Sequence, residues 1–248
     1  GDEVHVVDIF LGGRRDRLNP RAVLHETDIR DFEKLIPIFK GSAGIFHLAA
    51  QPRMQYSILE PRLTNDINIT GTLNVLLAAR DAGVKRVVYS ASSSAYGARN
   101  PMPLQEDMPP EPIIPYAIQK RVGEQYCEMV SRFYGLQTIS IRYFNVYGPR
   151  QTTEKDGPYA TVIGIFLGQA KNGHPMTVVP DGTQKRDFTH VYDTARANLL
   201  AMESPKVGRG EIINIGTGTN YTVLKVAEMI GGPWEFAEPR QGETKETL

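Results

Sequence analysis

Between residues 4 and 142, short apolar runs alternate with segments of helical periodicity. That alternation constrains the fold more than any other feature of the chain. Strand-like runs fall at 4–8, 23–26, 44–50, 87–90 and 138–142, and helical patterns at 31–39, 65–82 and 116–133. Ile67, Leu73, Leu76, Leu77 and Ala78 share one face of the second helix, which Gly83 stops; Gly135 stops the third, and Pro37 shortens the first. Alternation of this kind predicts an α/β fold, a Rossmann-like, doubly wound parallel sheet with helices on both faces. Ligands of such sheets bind beyond the carboxyl ends of the strands. Asp8, Asp28, Ala49-Ala50, Ser92 and Asn145 all fall at or just after predicted strand ends.

Past residue 150 the pattern loosens. Helices are expected at 159–171, 191–202 and 222–230, with short strands at 176–179, 187–188 and 212–215. This predicts a smaller α/β substrate-binding lobe (151–248) interleaved with a cofactor-binding domain (1–150). The six prolines of residues 100–115 mark an irregular loop ahead of the third helix.

Lys+Arg and Asp+Glu both number 28, so the formal charge is zero and no polyanion-binding surface is expected. The single cysteine, Cys127, makes neither an internal disulfide nor a thiolate metal site; it reads as a buried thiol in a reducing, cytoplasmic setting. No metal and no membrane contact are expected. His47, inside an apolar run, reads as a satisfied core histidine.

The chemistry concentrates in Tyr116-Ala117-Ile118-Gln119-Lys120, at the start of a helix. Residues four apart lie one turn apart on the same face. An ammonium beside a phenol favours the phenolate, so Lys120 is expected to lower the Tyr116 pKa and make it a general base for a sugar hydroxyl. A dinucleotide fold carries a glycine-rich turn after its first strand and an acid roughly 20 residues later. Asp8 fits that acid, which puts the turn, the first strand and the first helix before residue 1. Gly216-Thr217-Gly218 mimics the turn but lacks its third glycine, and reads as a turn of the smaller lobe.

Ten stretches occur in one order: VVD ending at Asp8, DIRD from Asp28, HLAA from His47, NITGTLN from Asn68, SASSSAYG from Ser90, YAIQK from Tyr116, RYFNVYGPRQ from Arg142, KRDFTHVYD from Lys185, NIGTG from Asn214 and PRQGE from Pro239. On these the chain resembles the extended short-chain dehydrogenase/reductases, in particular the NAD-dependent nucleotide-sugar epimerases and dehydratases of the UDP-glucose 4-epimerase type. The resemblance implies a catalytic set of Ser92, Tyr116 and Lys120, with Ser93 and Ser94 as weaker neighbours. It implies NAD contacts from Asp8, Asp28, Ile29, Leu48, Ala49, Ala50, Asn68, Ser90 and Phe144, besides Tyr116 and Lys120. Substrate contacts would come from Ser92, Asn145, Arg186 and Arg240.

Several of these have a second reading. Asp8 could be a solvated acid, Asn68 a pin between helix and sheet, and Arg186 the partner of Asp187 in a structural ion pair. Arg14-Arg15 could grip a 2′-phosphate or form an exposed loop pair.

The implied reaction is epimerisation at C4 of a UDP-sugar through a 4-keto intermediate. Tyr116 would take the O4 proton, and Ser92 would bond the same oxygen and help relay it. A 4,6-dehydratase of this family carries an Asp-Glu pair after the active-site Ser or Thr. Here Ser93-Ser94 comes after Ser92 and the next carboxylate is Glu106. A reductase on the same frame is a third enzyme reading, and a truncated, inactive chain is the reading from another class, since the family continues beyond PRQGE. The helices at 65–82 and 115–133 match those that form a homodimer bundle in the family.

Overall fold

Four parallel strands form the centre of the protein. A computed structural model describes residues 2–153, 155, 160–239 and 244–248. In chain order the first elements are β1 (His5–Val7), β2 (Val23–His25), α1 (Phe32–Phe39), β3 (Ile45–His47), α2 (Met54–Leu59), α3 (Pro61–Asn65) and α4 (Thr72–Asp81). Then come β4 (Arg86–Ser92), α5 (Pro115–Tyr134) and β5 (Gln137–Tyr143). The later part contributes α6 (Val162–Lys171), β6 (Met176–Val178), β7 (Lys185–Asp187), α7 (Val191–Glu203), β8 (Arg209–Ile215), β9 (Asn220–Thr222), α8 (Val223–Ile230) and β10 (Trp234–Phe236).

The central sheet runs β3-β4-β5-β8, all parallel, so its fourth strand comes from the later part of the chain. Alternation along β4 explains the two helix layers. Val87, Tyr89 and Ala91 face a core with Leu35, Val75, Leu76 and Cys127 from α1, α4 and α5. Val88 faces the opposite side, with Ile139, Ile141 and Ala201 of α7. A strand buried on both faces carries an apolar run, and β4 is visible in the sequence through Val87-Val88-Tyr89, whereas β5 shows as the β-branched Thr138, Ile139 and Ile141. Arg86 fastens α7 to the sheet: its Nη1 donates to the carbonyls of Ala201 (3.0 Å), Met202 (2.7 Å) and Ser204 (2.7 Å), satisfying the orphan acceptors of that helix end. Gly123 lets α5 approach β4, because a Cβ there would collide with the Tyr89 hydroxyl.

β1 and β2 pair with each other in parallel but not with β3. Between β1 and β3 lies a trench of about 1930 Å³, lined along its whole length by both strands and floored by Ile67 and Val75. Two small sheets complete the fold, β7-β9 antiparallel and β6-β10 parallel. α6 and α8 pack over β6 through Phe166, Met176, Val226 and Ala227.

Some expectations shift. The helix expected at 65–82 begins at Pro61 and passes through a π-helical turn, Asp66–Gly71, before α4. Proline at its first position suits a helix start. α1 continues through Pro37 to Phe39 instead of stopping short, held by the buried Leu35 and Phe39. Sequence reading does not anticipate α2, β9 or β10. Each is eight residues or fewer, and the three β10 residues are all exposed, so no burial pattern marks it. The predicted helix start at residue 159 lies outside the described residues; α6 begins at Val162.

Candidate active site

The carboxyl end of β4 meets the amino end of α5. β4 ends at Ser92, whose hydroxyl caps a 3-10 turn at Ser93–Tyr96. α5 opens with Pro115 at its first position and Tyr116 next, and the Tyr116 amide donates to Ser57 Oγ of α2 at 3.1 Å. One turn on, Lys120 is buried, 4% exposed, and its ammonium donates to the Ser90 carbonyl at 2.7 Å. The same nitrogen lies 5.0 Å from the Tyr89 ring centroid and 5.9 Å from that of Tyr116. Ser92, Tyr116 and Lys120 are therefore brought together, with Ser90 as the anchor of the lysine.

The electrostatics differ from the expectation. Burial pushes the Tyr116 phenol up; the Ser92 hydroxyl facing it and the charge of Arg53 pull it down, and they do not prevail. Lys120 is not what lowers it. Burial pushes Lys120 itself down to about 8, against the pull of Glu124, and its ammonium is directed at a carbonyl rather than at the phenol.

Beneath Lys120 lies an ion pair that sequence reading misses. Glu124 is 1% exposed and accepts both prongs of the Arg142 fork, Nε and Nη2, each at 2.7 Å. Arg121 adds a third bond at 2.9 Å, and the Arg142 guanidinium lies 4.2 Å over the Tyr96 ring. The available signal is an arginine inside a predicted strand, together with an acid four residues after Lys120 on the same helix face. Tyr143 is missed too: its hydroxyl joins Ser90 Oγ (3.0 Å) to Asn198 Oδ1 (2.9 Å).

Asp8, Asp28, Ile29, Leu48, Ala49 and Ala50 line the trench at the carboxyl ends of β1, β2 and β3. Ser92, Tyr116 and Lys120 do not line it. Asp8 is exposed, and one oxygen accepts the Phe10 amide at 2.7 Å. The Asp28 carboxylate is held by Arg30, with Nη2 at 2.6 Å and Nε at 3.1 Å, a pairing that lowers its pKa. Ile29 packs into the core. Arg14 is paired with Asp16 at 2.6 Å, and Arg15 with Glu26.

Asn68 pins three elements. Its Oδ1 accepts the Gln51 amide at 2.7 Å, and its Nδ2 donates to the Gln51 carbonyl at 3.0 Å and to Gln119 Oε1 at 2.8 Å. His47 is 3% exposed and hydrogen-bonds Thr72 Oγ1 at 3.0 Å.

Phe144 is buried, packed with Tyr96 and Leu104. Asn145 Nδ2 donates to the Asp187 carbonyl at 3.0 Å. Arg186 is buried in β7 and its Nη1 donates to the Lys185 carbonyl at 2.9 Å. The Asp187 carboxylate is turned to the 216–218 turn, accepting the Thr217 amide (2.7 Å), the Thr217 hydroxyl (2.8 Å) and the Gly218 amide (2.9 Å). Gly216-Thr217-Gly218 is thus a turn between β8 and β9 whose amides face Asp187. Arg240 lies outside the described residues.

Known proteins share this fold. UDP-glucose 4-epimerase of Thermotoga maritima, solved with UDP-glucose, superposes with a TM-score of 0.94 at 36% identity, over 100% of this chain and 82% of that one. UDP-glucose 4-epimerase of Corynebacterium glutamicum is 31% identical over 257 residues, covering 98% of this chain and 78% of its own length. A dTDP-glucose 4,6-dehydratase of Streptomyces venezuelae, solved with NAD, gives a TM-score of 0.90 at 28% identity, over 99% of this chain and 78% of that one. The model of the NAD dependent epimerase/dehydratase family matches residues 1–216, and with that match this chain belongs to that family of NAD-dependent enzymes.

Proposed function

We propose that this protein epimerises a UDP-sugar at C4, with Tyr116 as the base, Ser92 as a hydrogen-bond donor to the reacting oxygen and Lys120 as the fixed cation beside them. The carrying observation is the junction itself: Ser92 faces the Tyr116 phenol, and Lys120 is locked to the Ser90 carbonyl one turn below. Bound NAD would supply the hydride acceptor and donor for C4. The chain's residues do the rest. Tyr116 Oη takes the O4 proton and gives it back; Ser92 holds O4 while it carries extra charge. Lys120, charged below its pKa of about 8, keeps a positive centre 5.9 Å from the Tyr116 ring centroid.

Residues 1–150 would hold the cofactor and 151–248 the sugar nucleotide. The residues at the strand ends suit the adenosine half of NAD. Asp8 presents a carboxylate with lone pairs left for ribose hydroxyls, and Ala49 and Ala50 leave room beside it. Arg14 and Arg15 already face Asp16 and Glu26, which favours NAD over a 2′-phosphorylated cofactor. In this reading Asn68 acts by fixing the loop after β3. Asn145 and Arg186 would meet the sugar diphosphate, joined by Arg240.

The residues just after Ser92 favour epimerisation over 4,6-dehydration. Ser93 and Ser94 are hydroxyls where the dehydratases carry their Asp-Glu pair, and the next carboxylate, Glu106, accepts the Asn214 amide at 2.9 Å. A homodimer is expected through α5, where Ile118 (47%) and Phe133 (69%) are exposed. No helix among the described residues is long and apolar enough to cross a membrane; the lone buried thiol of Cys127 fits a cytoplasmic setting.

The test is NMR of UDP-glucose and UDP-galactose interconversion, together with a search for nicotinamide released on denaturation. Tyr116→Phe is expected to slow turnover by roughly 10²–10⁴-fold. Undiminished interconversion in that variant overturns the assignment, and a 4-keto-6-deoxy product points to dehydration. Sedimentation as a monomer at micromolar concentration would overturn the dimer.

A further inference from the structure

The hydroxyl of Ser92 is more constrained than a catalytic serine needs to be. Its Oγ accepts two hydrogen bonds from one residue: the Ser94 amide at 3.2 Å and the Ser94 hydroxyl at 2.9 Å. A serine oxygen has two acceptor lone pairs and one proton. Both lone pairs are taken, so Ser92 has only its proton left to offer. The hydroxyl that carries it faces the Tyr116 phenol.

We infer that Ser94 is a positioning residue: its hydroxyl and amide together fix Ser92 as a one-way donor, whose single proton goes to the Tyr116 oxygen in the free protein and to the substrate oxygen beside it once substrate is bound. The inference rests on the reaction proposed above and goes beyond it. Accepting a proton needs a free lone pair. A relay through Ser92 would therefore require the Ser94 bond to break first, and with that bond intact Tyr116 abstracts the proton directly. The turn makes this arrangement local. Ser92 caps the 3-10 turn Ser93–Tyr96, and Gly97 closes it by donating its amide to the Ser94 carbonyl at 3.2 Å. Bonds in such a chain polarise one another, so the Ser94 hydroxyl makes Ser92 a stronger donor. A stronger donor favours the phenolate.

The groups facing Tyr116 are Lys120 on its own helix, Arg53 before α2, and Tyr89 and Ser92 of β4; Ser57 of α2 holds its amide. Among these groups it is Ser92 that Ser94 bonds, so a change at Ser94 reaches Tyr116 through Ser92, which makes the experiment selective. The protein is labelled with ¹³C at tyrosine Cζ, and the Tyr116 signal, identified by its loss in Tyr116→Phe, is tracked from neutral pH upward. This readout needs neither substrate nor turnover. In Ser94→Ala the Tyr116 titration is expected to move up by about half a pH unit, leaving about threefold less phenolate at a given pH. Activity should fall by a similar factor in kcat with KM unchanged, and Ser94→Thr should restore both. Ser94→Cys, similar in size but a weak donor, serves if the alanine variant does not fold, and should behave as alanine does. A Tyr116 titration identical in wild type, Ser94→Ala and Ser94→Cys overturns the inference. If instead the wild type interconverts no nucleotide sugar, the proposed reaction fails while the titration still decides the role of Ser94.

Discussion

His47 gives the clearest quantitative prediction, because its imidazole is wholly enclosed. It sits at the end of β3 with Thr72 Oγ1 at 3.0 Å and the Tyr89 ring 5.6 Å away. Burial, helped by the charge of Lys120, pushes its pKa from 6.5 down to about 3. The folded protein thus holds His47 neutral in a range where the unfolded chain protonates it. With the folded pKa depressed, the unfolded state binds the extra proton between about pH 6.5 and pH 3, so stability falls as the pH falls through that window. At pH 5, about 1.5 units below the unfolded value, the loss amounts to about 2 kcal/mol, and it is close to zero at pH 7.5. Against a total of roughly 5–15 kcal/mol that is a large fraction.

The assay is urea unfolding of wild type and His47→Gln at pH 7.5 and pH 5. Gln keeps a polar group for Thr72 but does not titrate, so its packing cost is the same at both pH values and cancels. Carboxylates such as Asp28 titrate mainly below this window and are common to both proteins. Wild type should lose about 2 kcal/mol more than His47→Gln on going from pH 7.5 to pH 5. Equal losses would show that the imidazole accepts a proton without unfolding, and the argument from burial would be wrong.

The same core supports two further perturbations. Glu124→Ala leaves the buried Arg142 without its carboxylate, and Arg142→Met leaves Glu124 with Arg121 as its remaining ion-pair partner. The first should cost about 3–5 kcal/mol in urea unfolding and the second less, whereas Glu124→Leu combined with Arg142→Met should recover most of the loss; additive losses in the double variant would contradict this. Gly97→Ala should lower the melting temperature sharply, because Gly97 has φ +71° and a Cβ there would collide with the Glu111 carbonyl; an unchanged melting temperature would mean that the loop at 98–111 moves aside without loss.

The range of each interaction decides whether the sequence discloses it. β4 is legible through its apolar run Val87-Val88-Tyr89, and β5 through its β-branched Thr138, Ile139 and Ile141. Tyr116 and Lys120 are legible because four residues on a helix is a local relation. The direction of the Tyr116 shift is not, because it depends on how much of the phenol the fold encloses and on where the Lys120 ammonium points, and Ser90 of another element decides the latter. Glu124 with Arg142, and Asp187 with the turn at Thr217, are likewise contacts between distant segments. The role of Asn68 shows the same limit: its side chain is engaged with Gln51 and Gln119, partners that no spacing rule links to it.

The two halves of the site also differ in how firmly they are built, and this difference is measurable. Ser92, Tyr116 and Lys120 stand on β4 and α5, packed from both faces of a four-stranded sheet; Val87, Val88 and Ile139 of that sheet, and Lys120 itself, are nearly inaccessible. Asp8 and Asp28 stand on a two-stranded sheet of three residue pairs, joined to the main core chiefly through Val7 and Ile29, and open to the trench on the other edge. A two-stranded sheet is marginal by itself, and local opening free energy tracks buried apolar contact. Amide hydrogen exchange should therefore protect β4 and β5 close to the global stability, while the amides that pair β1 with β2 exchange through local opening at far lower free energy. If Val7 and His25 proved as protected as Val88 and Ile139, the trench edge would have to be covered by contacts that the β1–β2 pair itself does not make.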